Sequence, residues 1–421
     1  MSKLQKSEGF LLFLAVFFLP TQLGKHFWPD FSFVYSLPVD YLSPTLYFWD
    51  LLVILLCLIF IFKKEQVNKL ALNLFLFFIL TESFSLIANP TSLGVGLIRI
   101  EQYFIAGLFG IYIASTGKNN LKPAIFWGFI STVLFEGILA TTQFLKGGTL
   151  GLWLFGERTF SISTPGISKF DYYGREFLRP YATFPHPNVL SAFMMLGIVI
   201  LNSAKDLGLL PEGKRVKQMV ITANLLAAST ILFTVSRVAI VCGLVYATTI
   251  SIKNRHKILL VILAVMLLPV LYTRFSSLLN FDNLTFVRRE ELSQIALSLF
   301  KTSPIFGVGL NNFIPAASDL LLSGPNRFLQ PVHDIFLLSL SETGLVGFGG
   351  LLVLIGYPLF RLFKLRPKPL PAGRQAYALY PILTLWVIIA FLGLFDHYFL
   401  TLPQGYRLLF FVWGLSIRML E

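Results

Sequence analysis

Arg288, Arg289 and His333 lie in, or at the edge of, residues 274–334, the longest polar interruption in a chain that is otherwise nearly all apolar. Guanidinium groups bind phosphate oxygens through paired hydrogen bonds, and an imidazole takes or gives a proton near neutral pH. Cations and an imidazole gathered at one membrane surface suit a lipid-linked phosphate substrate and a proton transfer. Three further segments carry side chains of the same kinds. R-P-Y-A-T-F-P-H-P-N holds Arg179, His186 and Asn188, and its prolines at 180, 185 and 187 exclude regular helix and predict an extended approach to the next apolar run. T-V-S-R puts Arg237 at a turn between two apolar runs, where a buried guanidinium is costly unless it meets an anion. H-D-I-F-L-L-S-L-S-E-T-G-L-V-G, from His333 to Gly347, opens another run, with Asp334 second and Glu342 about two and a half helical turns deeper.

Each of these residues has a plainer alternative. Asn188 would cap the helix that follows, Arg179 and Arg237 would snorkel to lipid phosphate, and His333 would be a cap or a solvated side chain. Glu342 would be a buried polar partner or a packing residue.

The elements that must position these groups follow from composition. Hydrophobic residues make up 55% of the 421, charged residues 13%, and mean hydropathy is +0.73. A water-soluble domain with so little polar surface could not cover itself. Apolar runs of about 15 to 25 residues recur throughout, long enough to cross a hydrocarbon core of about 30 Å as helices. The expected fold class is all-α: a polytopic membrane protein of twelve spans, at 9–23, 45–62, 70–89, 93–115, 123–145, 182–203, 218–235, 237–253, 258–273, 335–360, 376–396 and 404–418. Residues 1–421 read as a single integral membrane domain.

Orientation follows from the cations, because Lys- and Arg-rich short loops stay in the cytoplasm. Lys63-Lys64, the 214–217 cluster, Arg255, Lys257 and the 361–374 cations then lie inside, with both termini, while 90–92 and 397–403 carry none. The long segments 146–181 and 274–334 fall on the extracytoplasmic side with ten cations between them. These are either merely solvated or able to hold a polyanion. The formal charge of +13 is concentrated in cytoplasmic loops, which accounts for it without nucleic acid. Cys57 and Cys242 lie within spans, so the outer loops contain no disulfide. F-V-R-R-E-E-L-S-Q-I-A-L-S-L-F predicts an amphipathic helix beginning near Arg289 and leading to P-I-F-G-V-G-L-N-N-F, where Gly307 and Gly309 permit a tight turn.

Taken together and in order, the segments between 175 and 350 resemble the O-antigen ligase and polymerase family, bacterial membrane enzymes that transfer glycans from undecaprenyl diphosphate carriers. H-D-x-F-L-x-x-x-x-E-T-G-L-V-G and P-I-F-G-V-G-L-N-N-F are the most specific pieces. Asp334 departs from the family, which often has Asn there. The resemblance implies that Arg179, Arg237 and Arg289 bind the donor's diphosphate, with Arg288 ranked second because it points about 100° away on a helix. It implies that His333 is the base for an acceptor hydroxyl, with His186, Asn188, Asp334 and Glu342 in support, and that the anomeric centre is inverted. No cofactor or metal is expected, since no D-x-D occurs and arginines would neutralise the leaving group's charge. The implied partners are the undecaprenyl-diphosphate-linked donor, membrane lipid and an acceptor that could be a lipid A core sugar, a growing polysaccharide or a protein hydroxyl. The implied location is the bacterial cytoplasmic membrane, with the site on its outer face.

A flippase or other transporter is the competing class. Twelve helices would suit it equally, and Arg99 and Glu101 inside the fourth span could be pathway charges. Against it stands the clustering of polar motifs in outer loops rather than at mid-membrane.

Overall fold

The structure is a computed structural model that describes residues 3–88, 92–116, 121–211, 213–251, 284–320, 329–364 and 374–420. In chain order its elements begin with α1 (Lys3–Phe17), β1 (Gly24–His26), β2 (Phe33–Val34), β3 (Leu37–Pro38), β4 (Thr45–Tyr47), α2 (Phe48–Phe62), α3 (Lys69–Ala88), α4 (Leu93–Ser115) and α5 (Lys122–Lys146). There follow β5 (Lys169–Tyr172), β6 (Arg175–Leu178), α6 (Pro187–Asn202), α7 (Lys214–Thr234) and α8 (Arg237–Ser251). The rest is α9 (Leu284–Thr302), α10 (Phe313–Ala317), α11 (Ile335–Lys364), α12 (Arg374–Gly393), α13 (Tyr398–Thr401) and α14 (Pro403–Leu420).

The protein is mostly helical and polytopic by length and composition. Five described helices are long and apolar enough to cross a membrane: α3, α4, α5, α7 and the first 28 residues of α11. Shorter apolar helices include α2, α6, and the stretches 237–249 and 380–393. The expected span at 258–273 lies outside the described residues. The expected first span at 9–23 is displaced: α1 starts at Lys3 and ends at Phe17, ahead of Pro20, which cannot continue a helix. Its polar N-terminal turn stays helical because Glu8 is buried and accepts hydrogen bonds from Lys63 (2.7 Å) and Tyr112 (3.0 Å). Among the described residues, three two-stranded antiparallel sheets, β1 with β4, β2 with β3 and β5 with β6, supplement the helices. They occupy connections read from sequence as loops, and β4 takes what was expected to be the start of the second span.

The chain divides into two compact units. The first comprises 1–128, 203–211 and 289–421. In it α14 packs on α4 where Gly110 and Gly414 face each other, close enough that a Cβ on Gly414 would overlap the Gly110 carbonyl. Small residues at helix crossings let backbones approach when lipid supplies no hydrophobic drive. Arg407 is fully buried here, flanked by the Tyr47 and Trp49 rings and 3.7 Å from the Asp50 carboxylate.

The two most specific sequence motifs meet in this unit. Helix α11 breaks at Gly344 (φ 61°, ψ −163°), a region of backbone space that is essentially glycine-only. The break exposes the Ser341 and Glu342 carbonyls, which accept from the Val308 and Gly309 amides at 3.0 and 2.9 Å. On the other side the Leu345 and Val346 amides donate to Pro304 and Ile305 at 2.9 and 3.1 Å. The P-I-F-G-V-G segment thus serves as the missing turn of α11. A Cβ at Gly344 would collide with the Ile305 carbonyl, whereas one at Gly349, further along the same helix, meets nothing. We expect Gly344→Ala to destabilise the protein by at least about 1–3 kcal/mol, and Gly349→Ala to be near neutral. Thermal unfolding in detergent is the check, and equal melting temperatures for the two variants would refute it.

The second unit comprises 129–202 and 212–288. Here Gly137 of α5 packs on Leu226 of α7, and the Phe144 and Phe233 rings stack at 4.5 Å. Helix α9 begins at Leu284, earlier than expected, because nothing in Leu284–Arg288 interrupts a helix; Arg288 and Arg289 are therefore inside it.

Candidate active site

In the second unit, the segment leading from β6 into α6 is irregular, as its prolines require, and polar side chains of α5 hold it from beneath. Gln143 accepts from the Tyr181 and Ala182 amides (3.0 and 2.7 Å) and donates to the Glu157 carboxylate (2.7 Å). Glu136 accepts from the Thr183 amide (3.1 Å) and hydroxyl (2.6 Å). Ala182 is thereby fixed in the left-handed region at φ 50°. Nothing in the motif reading had singled out Glu136, Gln143 or Glu157. Polar residues inside or next to an apolar run were the available signal, since membrane-depth carboxylates and amides need partners.

Pro187 is the first residue of α6, where its missing N–H costs nothing. His186, rather than Asn188, acts as the cap: its Nδ1 accepts the Asn188 amide at 3.1 Å. A lone pair is therefore on Nδ1, so a neutral His186 carries its proton on Nε2, which lies 3.2 Å from the Ser168 hydroxyl. Asn188 is left to accept from Arg179 Nη2 at 2.8 Å. Arg179 is buried, and its Nε donates at 2.6 Å to the carbonyl of Thr234, the last residue of α7. A cation on terminal helix carbonyls meets the negative end of the helix dipole. The turn that follows, with Val235 left-handed at φ 48°, delivers Arg237 as the first residue of α8. Arg179 thus joins the start of α6 to the turn that presents Arg237. Arg158 adds a third guanidinium nearby, donating to the Pro185 carbonyl at 2.7 Å and lying over the Tyr181 ring.

In the first unit, His333 directly precedes the capped start of α11. Asp334 is the cap, its Oδ1 accepting from the Phe336 and Leu337 amides at 2.7 and 3.0 Å. Asn, with the same side-chain oxygen, would cap equally well. Burial nonetheless pushes the Asp334 carboxyl above its ordinary range, outweighing the two amides. The His333 Nδ1 lies 3.4 Å from Oδ1 of Asp396, beyond the end of α12. The side chains of His333 and Asp396 are 18% and 15% exposed, so the pair is reachable from outside the protein core. His397 completes the group, with Nε2 3.9 Å from the same Asp396 oxygen and its ring 5.1 Å from that of His333. Sequence reading missed Asp396 and His397, which lie 63 and 64 positions beyond His333.

Helix α13 and the G-L-N-N-F motif support this group. The Thr401 hydroxyl is 2.6 Å from His397 Nδ1, and the Thr401 carbonyl accepts from Arg99 Nη1 at 2.9 Å. Arg99 Nη2 donates to Asn311 at 2.8 Å, and Asn311 donates to the Tyr41 carbonyl at 3.1 Å. The Tyr41 ring stands edge-on to His397, and burial together with nearby Asp396 pushes its hydroxyl well above the ordinary tyrosine range. Arg99, read from sequence as a possible pathway charge, is buried and ties α4 to this scaffold. Glu342 is buried and accepts from the Phe313 amide at 3.1 Å, the role of a buried polar partner.

Of the expected site residues, Arg179, His186 and Asn188 are thus joined directly, with Arg237 at the adjoining turn. Arg288 belongs to the same unit. Arg289, His333, Asp334 and Glu342 belong to the other. Arg288 and Arg289 are both half-buried on α9. Among the described residues, the one group of His, Cys, Asp and Glu side chains suited to a metal ion is His333, Asp396 and His397, whose donor atoms all lie within 4.8 Å of one another.

Residues 222–352 match the family model described as O-Antigen ligase. The matched segment includes Arg237, Arg288, Arg289, His333, Asp334 and Glu342. It begins after Arg179, His186 and Asn188 and ends before Asp396. No curated protein matches the chain.

Proposed function

We propose, on the premise that residues 222–352 form an O-antigen ligase domain in a bacterial membrane protein, that the chain transfers a glycan from an undecaprenyl diphosphate carrier to an acceptor hydroxyl. Chemistry takes place at the extracytoplasmic face of the cytoplasmic membrane. What carries this reading is His333 with a carboxylate against its Nδ1, inside a segment matched by a glycan-transferring family. Asp396 holds the Nδ1 proton, which leaves the lone pair on Nε2 for the acceptor hydroxyl. The catalytic contact is made only with acceptor present, so a long hydrogen bond in the unliganded protein is compatible with the role.

The acceptor oxygen attacks the anomeric carbon from the side opposite the diphosphate. A new C–O bond forms as the bond to the phosphate oxygen breaks, the hydroxyl proton passes to His333, and the configuration inverts. Charge accumulates on the departing diphosphate and falls to guanidinium groups: Arg237 and Arg289 first, then Arg288. Arg179 is engaged with Thr234 and Asn188, so in this reading its part is to fix the turn that aims Arg237 as well as to add positive potential. No metal is needed for a leaving group neutralised in this way.

Purified protein in liposomes, given lipid-diphosphate donor and a sugar acceptor, should form a glycosidic bond, with turnover undiminished by chelator. Donor crossing the bilayer without bond formation would replace this reading with a flippase. Topology is checked separately. A single cysteine at Ser277, in a background without Cys57 and Cys242, should react with an impermeant thiol reagent added outside. Labelling from the cytoplasmic side alone would invert the assignment.

A further inference from the structure

We propose that His333, Asp396 and His397 form a binding site for a divalent transition cation, and that a metal bound there silences His333 as a base. Two imidazoles and one carboxylate make a borderline donor set, the kind that selects zinc, cobalt or nickel over magnesium or calcium. Donor atoms around a tetrahedral ion with bonds of about 2.0–2.1 Å stand about 3.4 Å apart. His333 Nδ1 and Asp396 Oδ1 are already at 3.4 Å, and His397 Nε2 is 3.9 Å from that oxygen. Modest rotation of the two rings closes the remaining gap, since all three donor atoms lie within 4.8 Å.

The surroundings also suit a metal. A ligating imidazole is normally fixed through its other nitrogen, and His397 Nδ1 sits 2.6 Å from the Thr401 hydroxyl, leaving Nε2 turned to Asp396. Thr401 is in turn pinned through its carbonyl to Arg99. Three protein ligands on a partly exposed group leave a fourth position open to water.

The effect on His333 follows from its single ring proton. A neutral imidazole that donates its Nδ1 lone pair to a metal must carry the proton on Nε2. The lone pair that would accept the acceptor's proton is then gone. The metal competes with the transfer reaction for the same ring. This blocking effect rests on the transferase reading, whereas metal binding itself does not.

The test uses tag-free, full-length protein in detergent, titrated with cobalt(II) and followed by its visible ligand-field absorption. We expect one cobalt per chain, displaced by zinc. Binding should be lost in His397→Ala and Asp396→Asn and retained in His26→Ala, a control histidine in β1. Thr401→Val, which keeps all three ligands, should weaken binding by about 10–100-fold. No binding by the wild type, or binding undiminished in His397→Ala and Asp396→Asn, overturns the site. In the transfer assay, zinc should abolish turnover and chelator should restore it. Stoichiometric zinc that leaves turnover intact overturns the blocking role, while a wild type that binds cobalt but never transfers glycan counts against the transferase reading alone.

Discussion

His333→Ala should lower glycan transfer by about 10²–10⁴-fold while leaving expression, membrane insertion and donor binding near wild type. The magnitude is that of a positioned base, and the selectivity follows from the local structure. His333 lies just outside the helix that Asp334 caps, so removing the imidazole deletes no capping bond. Among the described residues its side-chain hydrogen bond is to Asp396, which is partly exposed and can be rehydrated. The measurement is initial rate with purified protein, alongside donor binding. Turnover within a few-fold of wild type would dismiss His333 as the base, and lost donor binding would move the residue from proton transfer to diphosphate recognition.

Arg237→Lys should be nearly as impaired as Arg237→Ala, with both losing at least about tenfold in rate. An ammonium keeps the charge but cannot offer two parallel N–H groups to two phosphate oxygens. Arg237 is the first residue of α8, behind a left-handed turn at Val235 that is tied by Arg179 to the start of α6. A guanidinium at such a fixed origin has a defined fork direction, which a lysine reaching from the same Cα does not reproduce. Parallel thermal melts of both variants separate lost recognition from lost folding. Full activity in Arg237→Lys would reduce the residue to bulk positive potential.

The sequence made some features plain and hid others, and the division has physical causes. Span 93–115 coincides with α4 because both its ends are abrupt in polarity. The first span was misplaced because the partners of Glu8 come from Lys63 and Tyr112, which no local pattern reveals. The small sheets between residues 24 and 47 were missed because strands of two or three residues have too few positions to display alternation. At the candidate site, the arginines and the imidazole could be put forward from residue chemistry and family resemblance. Their supports could not, because Asp396 meets His333 only through folding. The plainer alternative for Asn188, a helix cap, fails because His186 takes that position and releases Asn188 to Arg179. Gly307 and Gly309 were legible as a turn, at φ 68° and 105°, but the broken helix they fill was not.

The clasp between P-I-F-G-V-G and the break at Gly344 makes these two stretches a single unit of inheritance. Each supplies the hydrogen-bond partners the other lacks, and each needs a glycine where the other's backbone passes: Gly307 against Glu342, Gly344 against Ile305. A change on one side that shifts its path by even an ångström leaves orphaned amides or carbonyls on the other. Exchanging one stretch without the other is therefore expected to destabilise the fold more than exchanging both together. A chimera that imports residues 303–313 alone should melt at a lower temperature than one that imports 303–347 whole.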